Sequence, residues 1–243
     1  MNKYLFRQAL KITTPVFFGY IAIGIPFGLM IVNAGYPWWI SPLMSVFMYA
    51  GAGQYIAAGL FASGAKLPEI LITEFFVNIR HIVYGLSLIS KFKGCGKWYP
   101  YLVFSLTDET YALLTGVEVP KEASRGPFLG TIALLDHLYW ILGCTIGAVA
   151  YNVLEHYNLT QYLNGVDFAL TALFIVILIE QIKKTKDFVP PLIGALTSLC
   201  AIVLWRIGLL PSSNIILVAI IFAIAAIVLV RGRLFFKREA END

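Results

Sequence analysis

Side chains able to ionise or to hold a charged ligand stand inside otherwise apolar runs of this sequence: Gln54, Glu74, Asn78, Arg80, His81, Asp108, Glu109, Asp136, His137 and Trp140. An ionisable group in hydrocarbon costs at least about 2.5 kcal/mol on insertion scales, so each of these must face a cavity or a partner. Glu74, Asn78, His81 and Gly85 follow i, i+4, i+7, i+11 spacing, and on one helix they share a stripe. Arg80 projects roughly 120° away from Glu74, so its counter-charge is expected from another segment. Asp108, Glu109 and Asp136 are the candidate anions, and His81 or His137 could pass protons among them. Midway along a helix of about 20 residues, Arg80 would need to reach about 15 Å to a headgroup layer, which is beyond snorkelling.

Asp136 stands three residues before Tyr139 and four before Trp140, so one helix face offers a carboxylate beside two rings, a setting suited to an ammonium group. Gln54 lies in AGAGQYIAAG, where glycines let a ligand approach backbone amides and a half-helix end attracts charge. Each feature has a structural rival: membrane charges pin helices together, and small residues let helices pack closely.

These residues need helices to hold them. The 243-residue chain is 59% hydrophobic and 13% charged, too apolar for water. Hydrophobic runs lie near 13–33, 40–61, 69–90, 98–117, 128–151, 166–182, 189–210 and 213–230. At about 20 residues per crossing they give about eight membrane helices, in one polytopic membrane domain over 1–243. Strands are not expected, because lipid cannot satisfy an open sheet edge and the runs lack barrel alternation.

Basic residues near the amino terminus, in KKTK (183–186) and in the tail RGRLFFKRE place both termini and that link in the cytoplasm. Simple alternation then puts Lys91, Lys93 and Lys97 outside. Broken or re-entrant second and fourth segments would reconcile the loops: the second holds Pro42 and the glycine run, the fourth the polar interruption TDET. The alternative is that both segments span and this loop is an exception.

Nothing points to an enzyme: H-E-x-x-H and G-x-S-x-G are missing. Cys95, Cys144 and Cys200 are widely spaced, with no C-x-x-C, so neither a metal nor another cofactor is expected. The net charge of +4 sits at segment ends, where topology explains it without a nucleic-acid partner.

AGAGQY (50–55), VNIRHIVYGLSL (77–88), TDETYAL (107–113) and LDHLYW (135–140) resemble the AzlC-type branched-chain amino acid permeases of bacteria. The resemblance runs in order along about residues 10–150 and is most distinctive at Asn78, Arg80, His81, Tyr84 and Gly85. It implies export of valine, leucine or isoleucine across the bacterial cytoplasmic membrane, with a small AzlD-type membrane protein as second subunit. With no nucleotide-hydrolysis motif, the expected activity is that of a secondary transporter subunit, whose buried charges suit proton coupling. The rival is a channel or scaffold whose charges only stabilise an assembly.

Overall fold

The computed structural model describes residues 3–163, 165, 168–211 and 214–240, and among these every regular element is helical. The elements are α1 (Lys3–Asn33), α2 (Ile40–Phe47), α3 (Gly51–Ala62), α4 (Leu67–Asn78), α5 (Arg80–Phe92), α6 (Tyr99–Phe104), α7 (Asp108–Gly116), α8 (Arg125–His156), α9 (Phe168–Thr185), α10 (Val189–Arg206) and α11 (Ile215–Ala240), with 3-10 turns at Gly96–Trp98 and Thr160–Leu163. Positions 166, 167 and 213 of the sixth and eighth apolar runs, and the side chains of the basic tail, lie outside the described residues.

Four helices among the described residues are long and apolar enough to cross a membrane: Lys3–Asn33, Leu67–Phe92, Arg125–His156 and Val189–Arg206. The second and fourth apolar runs are built from shorter helices, the sixth is the 18-residue α9, and α11 has a shorter apolar stretch, Ile215–Val230.

The chain forms two compact units, Met1–Ala58 with Asn78–Thr171, and Gly59–Val77 with Ala172–Asp243. In the first, α1 and α8 are the paired backbone of the fold. Each carries a small-x-x-x-small step, Gly24 with Gly28 on α1 and Gly143 with Gly147 on α8. A methyl on Gly24 would lie 2.9 Å from the Cys144 backbone nitrogen, and one on Gly143 would lie 2.7 Å from the Tyr20 carbonyl oxygen. Methyls on Gly28 and Gly147 would run into the Cys144 and Ile25 carbonyl oxygens. Only hydrogen fits there, and the backbones meet as closely as membrane helices allow. Pro15 and Pro26 each remove a ladder donor inside α1, a loss that neighbouring hydroxyls and helices can offset in a bilayer.

The second and fourth apolar runs are both broken. Between α2 and α3 the chain passes through Tyr49 at φ +40°, a left-handed conformation that costs a non-glycine residue on the order of 1 kcal/mol. Between α6 and α7 the helix stops at Ser105 and restarts beyond Thr107, whose extended backbone and side-chain bond from the Thr110 amide (3.2 Å) make it an N-cap. Asp108 and Glu109 occupy the first turn of α7, where the helix dipole favours negative charge.

The third run is one membrane-length helix, Leu67–Phe92, with a local tightening between α4 and α5, where Ile79 keeps helical dihedrals (φ −55°, ψ −26°). There the Ile82 amide bonds to the Ile79 carbonyl (3.1 Å) in i→i+3 fashion. Glu74 belongs to α4 and the second unit, while Arg80, His81 and Gly85 belong to α5 and the first.

In the second unit α10 packs with α11 and buries only Ala201 along its own length.

Candidate functional site

Asp136 and His137, buried on α8, are the residues around which the polar side chains of the first unit gather. Both helix breaks contribute. Asp136 Oδ2 accepts from Thr110 Oγ1 on α7 at 2.9 Å. Thr110 Oγ1 accepts in turn from Thr107 Oγ1 at 3.1 Å, and Thr107 is hydrogen-bonded to the Tyr20 hydroxyl of α1. Tyr20 also donates to Glu109 Oε2 at 3.1 Å, so α1 and α7 join Glu109 to Asp136 through hydroxyls.

His137 faces the other break. Its Nε2 lies 3.0 Å from the Ser45 carbonyl on α2, and because a carbonyl only accepts, Nε2 carries the hydrogen. Nδ1, 3.0 Å from the Tyr101 hydroxyl of α6, is then the acceptor in the neutral ring. Tyr49, the left-handed residue of the α2–α3 break, stacks on His137 with centroids 4.0 Å apart. The strained conformation thus delivers a ring against the buried imidazole.

Gln54, completely buried in α3, is held at both ends: its Oε1 accepts from Trp140 Nε1 (2.6 Å) and its Nε2 donates to Ser45 Oγ (3.2 Å). Ser45 Oγ passes its own hydrogen to the Ser41 carbonyl at 2.9 Å. Gly51 leaves room for the Trp140 ring, since a methyl there would sit 3.2 Å from it. Trp140 also meets Tyr20 edge-on at 5.2 Å, whereas Tyr139 turns to α1, 3.2 Å from Thr13 Oγ1 and edge-on to Phe17. The two rings expected beside Asp136 are therefore engaged by other elements.

Arg80, at the first turn of α5, has its counter-charge in Asp108: Nη1 lies 2.9 Å from Oδ2, with both side chains about one-third exposed. Asp108 Oδ1 accepts from the Tyr84 hydroxyl at 2.6 Å, and Tyr84 stacks on Tyr111. Arg80 Nε is buried and makes no hydrogen bond, so the guanidinium fork is only partly used. His81 Nδ1 lies 3.0 Å from the Asn78 carbonyl and therefore donates to it.

Of the residues singled out from sequence, the first unit brings together Gln54, Asp108, Glu109, Asp136, His137 and Trp140, with Asn78 at the end of α4 and Arg80 and His81 at the start of α5; Glu74 lies in the second unit. Sequence reasoning passed over Tyr20, Ser45, Tyr49 and Tyr101, and took Thr107 and Thr110 only as part of the TDET interruption. Their shared signal is a hydroxyl inside an apolar run, weaker than a charge because serine, threonine and tyrosine enter membrane helices at small cost. Among the described residues no three His, Cys, Asp or Glu side chains converge as metal ligands.

Comparison with known proteins places this site inside the matched region. The family described as AzlC protein matches residues 15–154, which include both helix breaks, α5 and α8 almost to its end. A membrane protein of Helicobacter pylori is 34% identical over 238 residues, covering 96% of this chain and 99% of its own length. The Bacillus subtilis branched-chain amino acid transport protein AzlC is 33% identical over 200 residues, covering 82% of this chain and 77% of its own. The Escherichia coli inner membrane protein YgaZ is 30% identical over 206 residues, 79% of this chain and 80% of its own. No solved structure matches the chain.

Proposed function

This chain belongs to the AzlC family of membrane transport proteins, and from that premise we propose that it is the large subunit of a secondary transporter that moves branched-chain amino acids out across the cytoplasmic membrane, coupled to protons. The Bacillus relative's name supports the substrate class.

The observation that carries the reading is the Arg80–Asp108 pair at the α6–α7 break. A zwitterionic amino acid needs a cation for its carboxylate, an anion for its ammonium and an apolar surrounding for its side chain. Arg80 and Asp108 supply opposite charges 2.9 Å apart, and the free Nε leaves a donor for a second carboxylate oxygen. Substrate would enter by exchanging this internal pair for two pairs with itself, which keeps every charge compensated. Exposed apolar residues nearby on α5, Ile82, Val83 and Leu86, suit lipid or a partner helix. We propose a small AzlD-type membrane protein as that partner, so that the eight apolar runs are completed by a second subunit.

Uptake of labelled valine into inverted vesicles carrying both subunits tests the reading. Saturable accumulation, increased when the vesicle lumen is made acidic so that protons leave as valine enters, and absent with this chain alone, is expected. No accumulation overturns export, non-saturable flux favours a channel, and indifference to the gradient removes proton coupling.

A further inference from the structure

We propose that Glu109 and Asp136 form a single proton-binding site, sharing one proton through the hydroxyls of Tyr20, Thr107 and Thr110. This deepens the proton-coupled reading above by naming the atoms that hold the proton. It rests on a count of hydrogens.

The chain of contacts runs from Glu109 Oε2 to the Tyr20 hydroxyl, then to Thr107 Oγ1, Thr110 Oγ1 and Asp136 Oδ2. It has four links, and each link needs one hydrogen. A hydroxyl owns a single hydrogen and an ionised carboxylate owns none. With both carboxylates charged, three hydrogens are available for four links, and one pair of oxygens faces lone pair to lone pair. Tyr20, Thr107, Thr110 and Asp136 are all buried, so such a fault costs the penalty of an unmet polar contact in a low-dielectric setting. One added proton supplies the fourth hydrogen.

That proton can rest at either end. On Glu109, its O–H donates to Tyr20 and every hydroxyl points toward an ionised Asp136. On Asp136, its O–H donates to Thr110 and every hydroxyl points toward an ionised Glu109. Interconversion breaks one O–H bond and forms one O–H bond at each hydroxyl, with no change of total charge. The net movement is one proton from the half-buried Glu109 to the fully buried Asp136.

Other titratable or charged groups face this chain from every packed element: Tyr49 at the α2–α3 break, Arg80 on α5, Tyr101 on α6, Asp108 on α7 and His137 on α8. Arg80 is already paired with Asp108, and His137 is turned to Tyr101 and the Ser45 carbonyl. A hydrogen from Tyr49 would branch onto the chain without filling any of its four links.

Infrared spectroscopy of the purified protein at neutral pH, without substrate, tests the proposal through the carbonyl stretch of a protonated carboxylic acid. The wild type should show one such band that Glu109→Gln, Asp136→Asn and Tyr20→Phe each abolish. In the amide variants the new NH2 supplies the fourth hydrogen; in Tyr20→Phe the shortened chain needs no extra one. Retention of the band in Glu109→Gln or in Tyr20→Phe, which leaves both carboxylates in place, overturns sharing even if Asp136→Asn fails to fold. Absence of the band in the wild type overturns it as well. Gradient-driven valine transport without the band would sink the shared site alone, whereas the expected band pattern without transport would sink the transport reading alone.

Discussion

The two units treat the same kind of sequence, an apolar membrane-length helix, in opposite ways. Half of the most apolar stretch of α8 is buried within the fold, against 6% for α10. The difference follows from residue size and polarity. On α8, Gly143 and Gly147 admit the backbone of α1, while Asp136, His137 and Trp140 bring partners from α2, α3, α6 and α7. On α10, Leu192, Leu196 and Leu199 form an exposed apolar series for which no partner in water-like terms is needed, because lipid solvates leucine as well as another helix does. Packing in a bilayer is driven by close fit and buried polar bonds, and the first unit has both.

The largest effect should come from closing the space between α1 and α8. Gly147→Val drives a branched side chain into the Ile25 carbonyl and should cost about 3 kcal/mol, enough to prevent recovery of folded protein. The matching change on α10, Gly194→Ala, meets nothing within 4 Å and should leave thermal stability unchanged or raise it by up to about 1 kcal/mol through helix propensity. Equal effects in a thermal melt in detergent would break the contrast.

Next is the buried amide. Gln54→Ala strands the Trp140 indole donor and leaves Ser45 Oγ without its bond from Gln54, which should cost about 2 kcal/mol. A changed tryptophan fluorescence spectrum should accompany the lower melting temperature. An unchanged melt would show that Gln54 contributes no net packing energy.

The ion pair should matter more to transport than to folding, since both partners are partly solvent-exposed. Asp108→Asn keeps size and the acceptor for Tyr84 while removing the charge, and valine efflux should fall about tenfold, equivalent to about 1.4 kcal/mol. Arg80→Lys should do the same, because an ammonium cannot reproduce the planar fork. Normal efflux in both variants would leave the pair a purely structural clamp.

Much of this site was legible in the sequence because charge is expensive in lipid. Asp136, His137 and Gln54 declare themselves by standing in apolar runs, and the glycines and TDET mark the two breaks. The joint between α1 and α8 is not legible in the same way: the steps Gly24 to Gly28 and Gly143 to Gly147 are visible in the sequence, but nothing in spacing distinguishes them from the glycines beside Gln54, of which Gly51 makes room for a ring. Nor could spacing reveal the local tightening at Ile79. A β-branched residue between two good helical stretches carries no stop signal, and the backbone stays helical through it. Hydroxyl relays are harder still, because Tyr20 and Thr107 are 87 residues apart and ordinary in isolation.

The smallest expected effect is the most direct measure of the contrast between the units. Leu196 is 58% exposed on α10, and Ile132 on α8 is fully buried. Truncating either to alanine removes a comparable volume of hydrocarbon. At Ile132 the surrounding side chains cannot follow, so a cavity opens and dispersion contacts are lost, a cost of about 2 kcal/mol or more. At Leu196 detergent or lipid flows into the space, and the change in stability of the isolated chain should be below about 0.5 kcal/mol. Thermal melts of Leu196→Ala and Ile132→Ala, run side by side on the chain alone, read the difference. A drop for Leu196→Ala as large as that for Ile132→Ala would mean that this face of α10 packs against protein in the isolated chain, and the two units would then differ in polarity but not in packing.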